Sequence, residues 1–221
     1  MNKIKIIETA DGSNTLFSEE FNAHYHSLNG ALQESRHIFI EYGFNYFSSK
    51  QISVLEVGFG TGLNAALTAS RAENNKVKTR YSGIELFPLN NEILNKINYK
   101  SVLSPNEFEL WTKINHAQWE LEKNISDFFS IEKLKMSICN ANLTKTFDLI
   151  YYDAFAPEDQ PELWDKSIFE KIYNATNPEG ILVTYCSKGI VKQALRHAGY
   201  KVERHPGPIG KRHIIRAIRS K

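Results

Sequence analysis

A short glycine-rich segment, residues 54–64, restricts the possible folds of this chain more than any other part of it. The segment reads V-L-E-V-G-F-G-T-G-L-N, so an apolar run is followed by three alternate glycines and then by helix-compatible residues. Because glycine adopts backbone conformations that other residues avoid, this order predicts a strand, a tight turn and a helix. In α/β proteins such a turn brings the backbone close to a bound nucleotide. The sequence therefore predicts a nucleotide-type ligand before it predicts a reaction.

An acidic residue, Glu85, ends the next predicted strand and lies 23 residues after Gly62. A carboxylate at that place can accept hydrogen bonds from ribose hydroxyls. The glycines are spaced G-x-G-x-G, which is shorter than the dinucleotide-binding pattern, and Glu56 stands two residues before the first of them. This form resembles the first motif of class I S-adenosylmethionine-dependent methyltransferases, which implies that the loop wraps the methionine part of that cofactor. A glycine-rich turn in some other α/β protein is the alternative.

Length and composition indicate one α/β domain with additions and a sizeable core, because the chain has 221 residues and a net charge of only +2. We expect a cytoplasmic protein without membrane association, since no apolar run approaches about 18 residues and no signal peptide is visible. Cys139 and Cys186 are too few for a disulfide framework or a zinc cluster.

Charge is concentrated at the C-terminal end of the chain. From Arg196 onwards there are eight Lys and Arg residues against one acid, Glu203. This basic tail could be a surface that faces phosphate groups. The alternative is a solvated face on the terminal strands.

The hydrophobic patterns predict a doubly wound, mostly parallel sheet in which strands alternate with helices. Strands are expected at residues 3–8, 15–17, 52–57, 80–86, 128–138, 147–153, 180–186, 200–205 and 213–219. Helices are expected at residues 30–47, 63–71, 161–175 and 189–198, with residues 88–126 mainly helical. The last two strands lie too close together for a helical crossover, so we expect an antiparallel C-terminal hairpin, which also resembles the class I methyltransferase sheet. We expect residues 1–50 to form an N-terminal cap on one unit of residues 51–221.

The strand predicted at residues 147–153 leads into D-A-F-A-P, residues 153–157. Ligands of open α/β sheets bind beyond the carboxyl ends of the strands. Amino-group methyltransferases often have Asp or Asn, an aromatic residue and proline there, and this similarity implies that Asp153 accepts hydrogen bonds from an amine while Phe155 packs on a flat base. Because the ordinary pKa of aspartate is about 4 and that of an alkylamine about 10, we expect Asp153 to orient the amine and stabilise its growing charge. Alternatively, Asp153 caps the next helix and Phe155 belongs to the core.

Four separated motifs, found in one order, carry a more specific resemblance. They are Y-H-S-L-N-G-A-L-Q-E-S-R-H-I-F at residues 25–39, E-V-G-F-G-T-G-L-N at 56–64, Y-D-A-F-A-P-E-D-Q-P-E-L-W at 152–164 and P-G-P-I-G-K-R-H-I-I-R-A at 206–217. Nearly the whole chain resembles the methyltransferase domain of the tRNA 5-methylaminomethyl-2-thiouridine biosynthesis proteins. The resemblance implies S-adenosylmethionine-dependent methylation of the 5-aminomethyl group of the wobble uridine in the tRNA anticodon loop.

Bifunctional members of that family carry an additional FAD-dependent oxidase domain. This sequence has no second glycine motif of the FAD-binding kind, so we expect a stand-alone methyltransferase without FAD, for which a monomer would suffice. We also expect no metal, because His24 and His26 have no accompanying carboxylate–histidine constellation.

The resemblance also implies roles for individual residues. Those assigned to the reaction are Asp153, Phe155 and Pro157. Those assigned to the cofactor are Glu56, Gly58, Phe59, Gly60, Thr61, Gly62, Asn64, Glu85, Leu86 and Asp153. Those assigned to the target base or to tRNA phosphates are Tyr25, Ser27, Glu34, Ser35, Lys188, Lys211 and Arg212.

Two points stay open at the level of sequence. The N-terminal signature around Tyr25 and Glu34 could close over the ligands or only dock the cap. The acid that commonly follows the third strand and holds the adenine is missing, and Ser137 or Asn140 could replace it. Two other functions are also compatible with the sequence, namely methyl or aminopropyl transfer to a small amine and non-catalytic RNA binding.

Overall fold

The strand of the predicted strand–turn–helix is a central strand of an eight-stranded sheet. The computed structural model describes residues 4–221. The strands are β1 Ile4–Glu8, β2 Asn14–Ser18, β3 Ala23–His24, β4 Gln51–Val57, β5 Lys78–Ile84, β6 Glu122–Ser126, β7 Phe129–Leu134, β8 Phe147–Tyr152, β9 Thr176–Thr184, β10 Lys201–Pro206 and β11 His213–Ile218. The α-helices are α1 Ala31–Ser35, α2 Leu63–Asn75, α3 Asn91–Leu94, α4 Tyr99–Val102, α5 Pro105–His116, α6 Lys166–Ala175 and α7 Gly189–His197. None of the helices in residues 4–221 is long and apolar enough to span a bilayer.

The order of strands in the large sheet is β10-β11-β9-β8-β4-β5-β7-β6. Four neighbouring pairs, β4 with β5, β4 with β8, β5 with β7 and β8 with β9, are parallel. The pair β10 and β11 forms an antiparallel hairpin, and β11 also runs antiparallel to β9. The predicted mostly parallel sheet with an antiparallel C-terminal hairpin is therefore confirmed.

Alternation along the central strands places the two layers of helices. Val54 on β4 packs in an apolar cluster with α2 and α5, whereas Leu55 packs in a second cluster with α6 and α7. The next parallel strand repeats this arrangement, since Tyr151 belongs to the first cluster and Tyr152 to the second. Strands buried on both faces appear in a sequence as continuous apolar runs, which is why β4 and β8 were predicted correctly.

Two predicted segments differ most from the structure. Residues 88–126 contain α3, α4 and α5 as expected, but residues 122–126 are strand β6, which pairs antiparallel with β7. In this polar edge strand only Ile125 is buried, so its sequence carries little strand signal. The helix predicted at residues 30–47 is α1 followed by a π-helical segment, Arg36–Glu41, and a 3₁₀ turn, Phe44–Tyr46.

The N-terminal residues form a small antiparallel sheet, β1-β2-β3, which is joined to the rest of the chain by specific contacts. The predicted first residue of β1, Lys3, lies outside the described residues. Asn14 and Asn98 exchange two hydrogen bonds, each backbone N–H donating to the other's side-chain oxygen at 2.8 and 2.9 Å. The Arg36 guanidinium donates to both carboxylate oxygens of Glu107 on α5. These contacts position the N-terminal segment over the carboxyl ends of the central strands.

One core residue was not expected from the sequence pattern. The Lys133 side chain on β7 is only 1% exposed, and its ammonium donates to the Asn115 carbonyl at 3.0 Å. The same ammonium lies 5.0 Å from the centre of the Trp119 ring. Burial lowers the pKa of Lys133 to about 8, because the charged form loses its hydration.

This burial predicts a pH-dependent contribution to stability. Between a folded-state pKa of about 8 and the ordinary value of 10.5 the unfolded chain holds more protons on Lys133 than the folded chain does. The free energy of unfolding of the wild type should therefore rise by about 1–3 kcal/mol relative to that of Lys133→Met as pH increases through this window. Urea denaturation across the window measures the difference. The exposed Lys123→Met variant is the control, and a pH-independent difference for Lys133→Met would contradict the prediction.

Candidate active site

The glycine loop between β4 and α2 adopts a conformation that requires its glycines. The φ angles of Gly58 and Gly60 are 89° and 51°, in the left-handed region that favours glycine. A Cβ on Gly58 would lie 2.4 Å from the Asp153 carbonyl oxygen, and one on Gly60 would lie 3.2 Å from the Tyr25 ring. The loop therefore passes directly against the end of β8 and under the N-terminal segment.

The acid at the end of β5 fastens this loop. The Gly60 N–H donates to Glu85 Oε2 at 3.0 Å, and the Phe87 N–H donates to Glu85 Oε1 at 2.9 Å. Burial raises the pKa of Glu85, whereas the hydrogen bonds that its carboxylate accepts from backbone N–H groups lower it. Each carboxylate oxygen has a second lone pair, so Glu85 keeps capacity to accept a ligand hydroxyl.

Asn64, in the first turn of α2, joins two acids. Its Nδ2 donates to Glu56 Oε1 at 2.8 Å and to Asp153 Oδ2 at 2.9 Å. The Tyr81 hydroxyl donates to Glu56 Oε2 at 2.8 Å, and burial raises the pKa of Glu56 well above its ordinary value. The buried Asn64 Oδ1 has no hydrogen-bond partner within the described part of the chain. Glu56 thus lies beneath the loop and holds Asn64, which faces the cavity.

Asp153 directly follows β8, where its N–H donates to the Val57 carbonyl at 2.9 Å. Its carboxylate is only partly exposed. Desolvation and the nearby Glu34 raise the pKa of Asp153 to about 7, while the hydrogen bond from Asn64 and the charge of Lys211 act against this rise. The carboxylate therefore changes protonation state near neutral pH.

Aromatic side chains form the rim above Asp153. Tyr25 packs edge-on against Phe155, with ring centres 5.0 Å apart. Phe21 lies 5.3 Å from Phe155 and 5.6 Å from Phe87. Phe21 and Phe87 were not predicted, since they reach the rim through tertiary packing and belong to no motif. Their only signal in the sequence is proximity to Tyr25 and Glu85.

These groups surround a cavity with an empty volume of about 860 Å³, including its open mouth. The predicted site residues that line it are Tyr25, Gly58, Phe59, Gly60, Asn64, Glu85, Leu86, Asp153 and Phe155. The predicted site residues outside the lining are Ser27, Glu34, Ser35, Glu56, Thr61, Gly62, Pro157, Lys188, Lys211 and Arg212.

Several of the residues outside the lining have an evident supporting position. The Thr61 hydroxyl hydrogen-bonds Tyr99 in the core, and the Thr61 carbonyl accepts from Trp111 Nε1 at 2.8 Å. Lys188 pairs with Glu158 at the surface, whereas Lys211 pairs with the buried Glu34.

The loops after β7 and β8 form the far wall of the cavity. Ser137 lines it and Asn140 does not. Gln160 and Glu162 also line this wall; both lie in the motif at residues 152–164, but the sequence assigned no role to them. Glu162 is the acidic residue on this wall, which lacks the usual third-strand acid.

The two histidines considered as metal ligands, His24 and His26, have different surroundings. The His24 ring packs against Phe17, with ring centres 4.9 Å apart. His26 lines the cavity, and burial lowers its pKa to about 4, so its ring is neutral. Within residues 4–221 no group of three or more His, Cys, Asp or Glu side chains is arranged to hold a metal ion.

Known proteins resemble this chain in both sequence and fold. The family model described as S-adenosyl-L-methionine-dependent methyltransferase matches residues 98–220, more than half of the chain. The tRNA 5-methylaminomethyl-2-thiouridine biosynthesis bifunctional protein MnmC of Leptospira interrogans is 30% identical in an alignment 217 residues long that covers 91% of this chain and 33% of that protein. The protein of the same name from Actinobacillus pleuropneumoniae is 24% identical over 93% of this chain and 34% of its own length. The chain thus spans about one third of the length of these relatives.

The structure of MNMC2 from Aquifex aeolicus shares the fold, with a TM-score of 0.83 and 24% identity over 100% of this chain and 72% of that one. Spermidine synthase from Thermotoga maritima has a TM-score of 0.61 at 14% identity, over 100% of this chain and 70% of that one.

The cavity fits the cofactor named by the family model. Among the described residues the buried Asn64 Oδ1 has no hydrogen-bond partner, and Glu85 retains acceptor capacity. An acidic cavity also suits a cofactor with a positively charged sulfur. The chain belongs to the family of S-adenosyl-L-methionine-dependent methyltransferases.

Proposed function

We propose that this protein methylates the 5-aminomethyl group of the wobble uridine in tRNA. The observation that carries the proposal is that Asp153, an acceptor suited to an amine, lies in one cavity with the glycine loop and hydrogen-bonds through Asn64 to the base of that loop. The alignment with proteins named for 5-methylaminomethyl-2-thiouridine biosynthesis, over 91% of this chain, supports tRNA as the substrate.

The cofactor would be held in the part of the cavity beside the glycine loop and Glu85. Gly58 and Gly60 would receive its methionine part, and Glu85 would accept hydrogen bonds from its ribose. Phe59 and Leu86 offer apolar contacts, while Ser137 and Glu162 are the polar groups on the remaining wall. We further infer that residues 1–50 act as a cap, since Phe21, Tyr25 and His26 cover the cavity.

The amine would bind in the part of the cavity beside Asp153. Bound S-adenosylmethionine supplies a methyl group on a positively charged sulfur. The lone pair of the neutral amine forms the new N–C bond as the S–C bond breaks, and positive charge grows on nitrogen. The ionised Asp153 orients the amine and stabilises this charge, after which the proton leaves to Asp153 or to water. Phe155 and Tyr25 provide aromatic surface for a base unstacked from the anticodon loop.

Glu85 gives a test of the cofactor half. Glu85→Gln should weaken S-adenosylmethionine binding about 10- to 100-fold, because a charged acceptor of ribose hydrogen bonds is lost. Isothermal titration calorimetry measures the effect. Glu92→Gln, at an exposed acid of α3 that pairs with Lys96, is the matched control. Equal affinity of Glu85→Gln and wild type would remove Glu85 from the cofactor site.

Asp153 gives a test of the reacting half. Asp153→Asn should lower turnover about 10²- to 10³-fold, because the charge that stabilises the forming ammonium is lost, while cofactor affinity changes far less. Transfer from labelled S-adenosylmethionine to tRNA that carries 5-aminomethyluridine measures turnover. Transfer to a free small amine but not to this tRNA would favour the alternative of a small-amine transferase. Unchanged function of Asp153→Asn would favour an RNA-binding module without catalysis.

The exposed cations Lys188 and Arg212 give a test of the tRNA partner. Replacing each by Gln should weaken tRNA binding and reduce the dependence of log affinity on log salt concentration by about one per phosphate contact. Filter binding at several salt concentrations measures both quantities. Lys113→Gln, at an exposed cation of α5 that pairs with Glu109, is the control. An unchanged salt dependence would exclude these two residues from the tRNA surface.

A further inference from the structure

Lys211 does not extend from the basic tail into solvent. Its ammonium donates to Glu34 Oε2, and it lies 4.3 Å from the centre of the Tyr185 ring. Only 26% of the Lys211 side chain and 7% of the Glu34 side chain are exposed. The other Glu34 oxygen accepts from the Ser27 N–H at 3.0 Å. A partly buried, fully engaged ion pair of this kind is a poor phosphate contact, because breaking it would strand a buried charge.

The loop that carries Lys211 is docked on the N-terminal segment at further points. His37 Nε2 hydrogen-bonds the Pro206 carbonyl at 2.9 Å. Gly210 approaches Asn29 so closely that a Cβ on Gly210 would lie 2.0 Å from the Asn29 Nδ2. The hairpin loop of β10 and β11 and the N-terminal segment therefore hold each other in place, with the Glu34–Lys211 pair between them.

The pair is connected to Asp153 through the end of β9. The Lys211 ammonium packs on the face of the Tyr185 ring, and the Tyr185 hydroxyl donates to the Ala154 carbonyl at 2.9 Å. Ala154 is the residue after Asp153, so a contact network of three side chains supports the D-A-F-A-P turn. Glu34 and Lys211 are also close enough to Asp153 for their charges to act on its carboxylate in opposite directions.

Glu34 and Lys211 are the two charged residues around Asp153 that act on its pKa. Of the other elements packed around it, β4 contributes Glu56 and β5 contributes Tyr81, and both are buried and hydrogen-bonded to each other. Tyr185 from the end of β9 has its pKa raised by burial and by Asp153, so it is neutral at neutral pH. Asn64 is a neutral donor. Two other titratable groups line the same cavity: His26, which is neutral because burial lowers its pKa to about 4, and Glu85, whose pKa burial raises.

We propose that Glu34 and Lys211 are a pair of positioning residues that support the Asp153 turn and set the charge state of its carboxylate from outside the cavity. Glu34 favours the protonated acid and Lys211 favours the ionised form that the amine needs. The role in catalysis rests on the proposed function, whereas the effect on Asp153 does not.

Opposite shifts in the titration of Asp153 test this inference. Lys211→Met removes the charge that favours ionisation, so the midpoint, near 7 in the wild type, should move up by about 0.5–1 pH unit. Glu34→Gln should move it down by a similar amount. The double variant should lie close to wild type. NMR titration of ¹³C-labelled aspartate carboxyl groups in the free protein, with Asp153→Asn for assignment, measures the midpoints without any substrate.

Lys201→Met, at an exposed lysine of β10, is the matched control and should leave the Asp153 midpoint unchanged. Shifts in the same direction for both single variants, or no shift in either, would overturn the inference, even if the tRNA activity is confirmed. If either single variant unfolds, the charge-conserving Lys211→Arg and Glu34→Asp variants replace the pair, and the midpoint should then stay near that of the wild type. A midpoint displaced by either conservative change would contradict a role that depends on charge.

The rate of methyl transfer adds a second readout. Because Asp153 must be ionised, turnover of the wild type should rise with pH through about 7. The inflection of this rise should move with the NMR midpoint in each variant. If the midpoints move while the inflection stays, the electrostatic part of the inference holds and Asp153 is not the group that controls the rate.

Discussion

The rest of the site depends on the close approach of the glycine loop to the end of β8. The Gly58 backbone lies against the Asp153 carbonyl, where no side chain would fit, and the Asp153 N–H bonds back to Val57. Asn64 then joins Glu56 and Asp153 with one amide group. These contacts fix the distance between the glycine loop and the Asp153 carboxylate. Close alignment of two reactants is itself a large part of the catalytic power of a transferase.

The sheet makes this approach possible because its central strands are buried on both faces. Residues of β4 and β8 enter two separate apolar clusters alternately, so a shift of register by one residue would move each set of side chains into the cluster packed for the other set. A rigid pair of parallel strands then presents both carboxyl ends to the same cavity. The N-terminal segment and the C-terminal hairpin add the covering groups, and they meet at the ion pair of Glu34 and Lys211.

The centre of the fold and of the site was predictable because local sequence determines it. Continuous apolar runs predict β4 and β8, and the spacing of Gly58, Gly60 and Glu85 predicts where loop and acid meet. Residues brought in by tertiary packing were not predictable, since Phe21 and Phe87 belong to no motif. Lys211 illustrates the same limit, because its partner Glu34 lies 177 positions away in the sequence. A basic tail predicted as a phosphate surface is thus partly internal.

The electrostatics of the cavity explain why an acidic site suits this chemistry. Burial raises the pKa values of Glu56, Glu85 and Asp153, so their charges are unfavourable in the free protein. Neutral donors, the amide of Asn64 and the backbone N–H of Gly60, hold them without cancelling their charge. A cationic ligand relieves this burden by supplying the missing positive charge. A cofactor with a positively charged sulfur would be attracted to these acids, and under the proposed function the ionised Asp153 would also favour the positive charge that forms on the amine nitrogen.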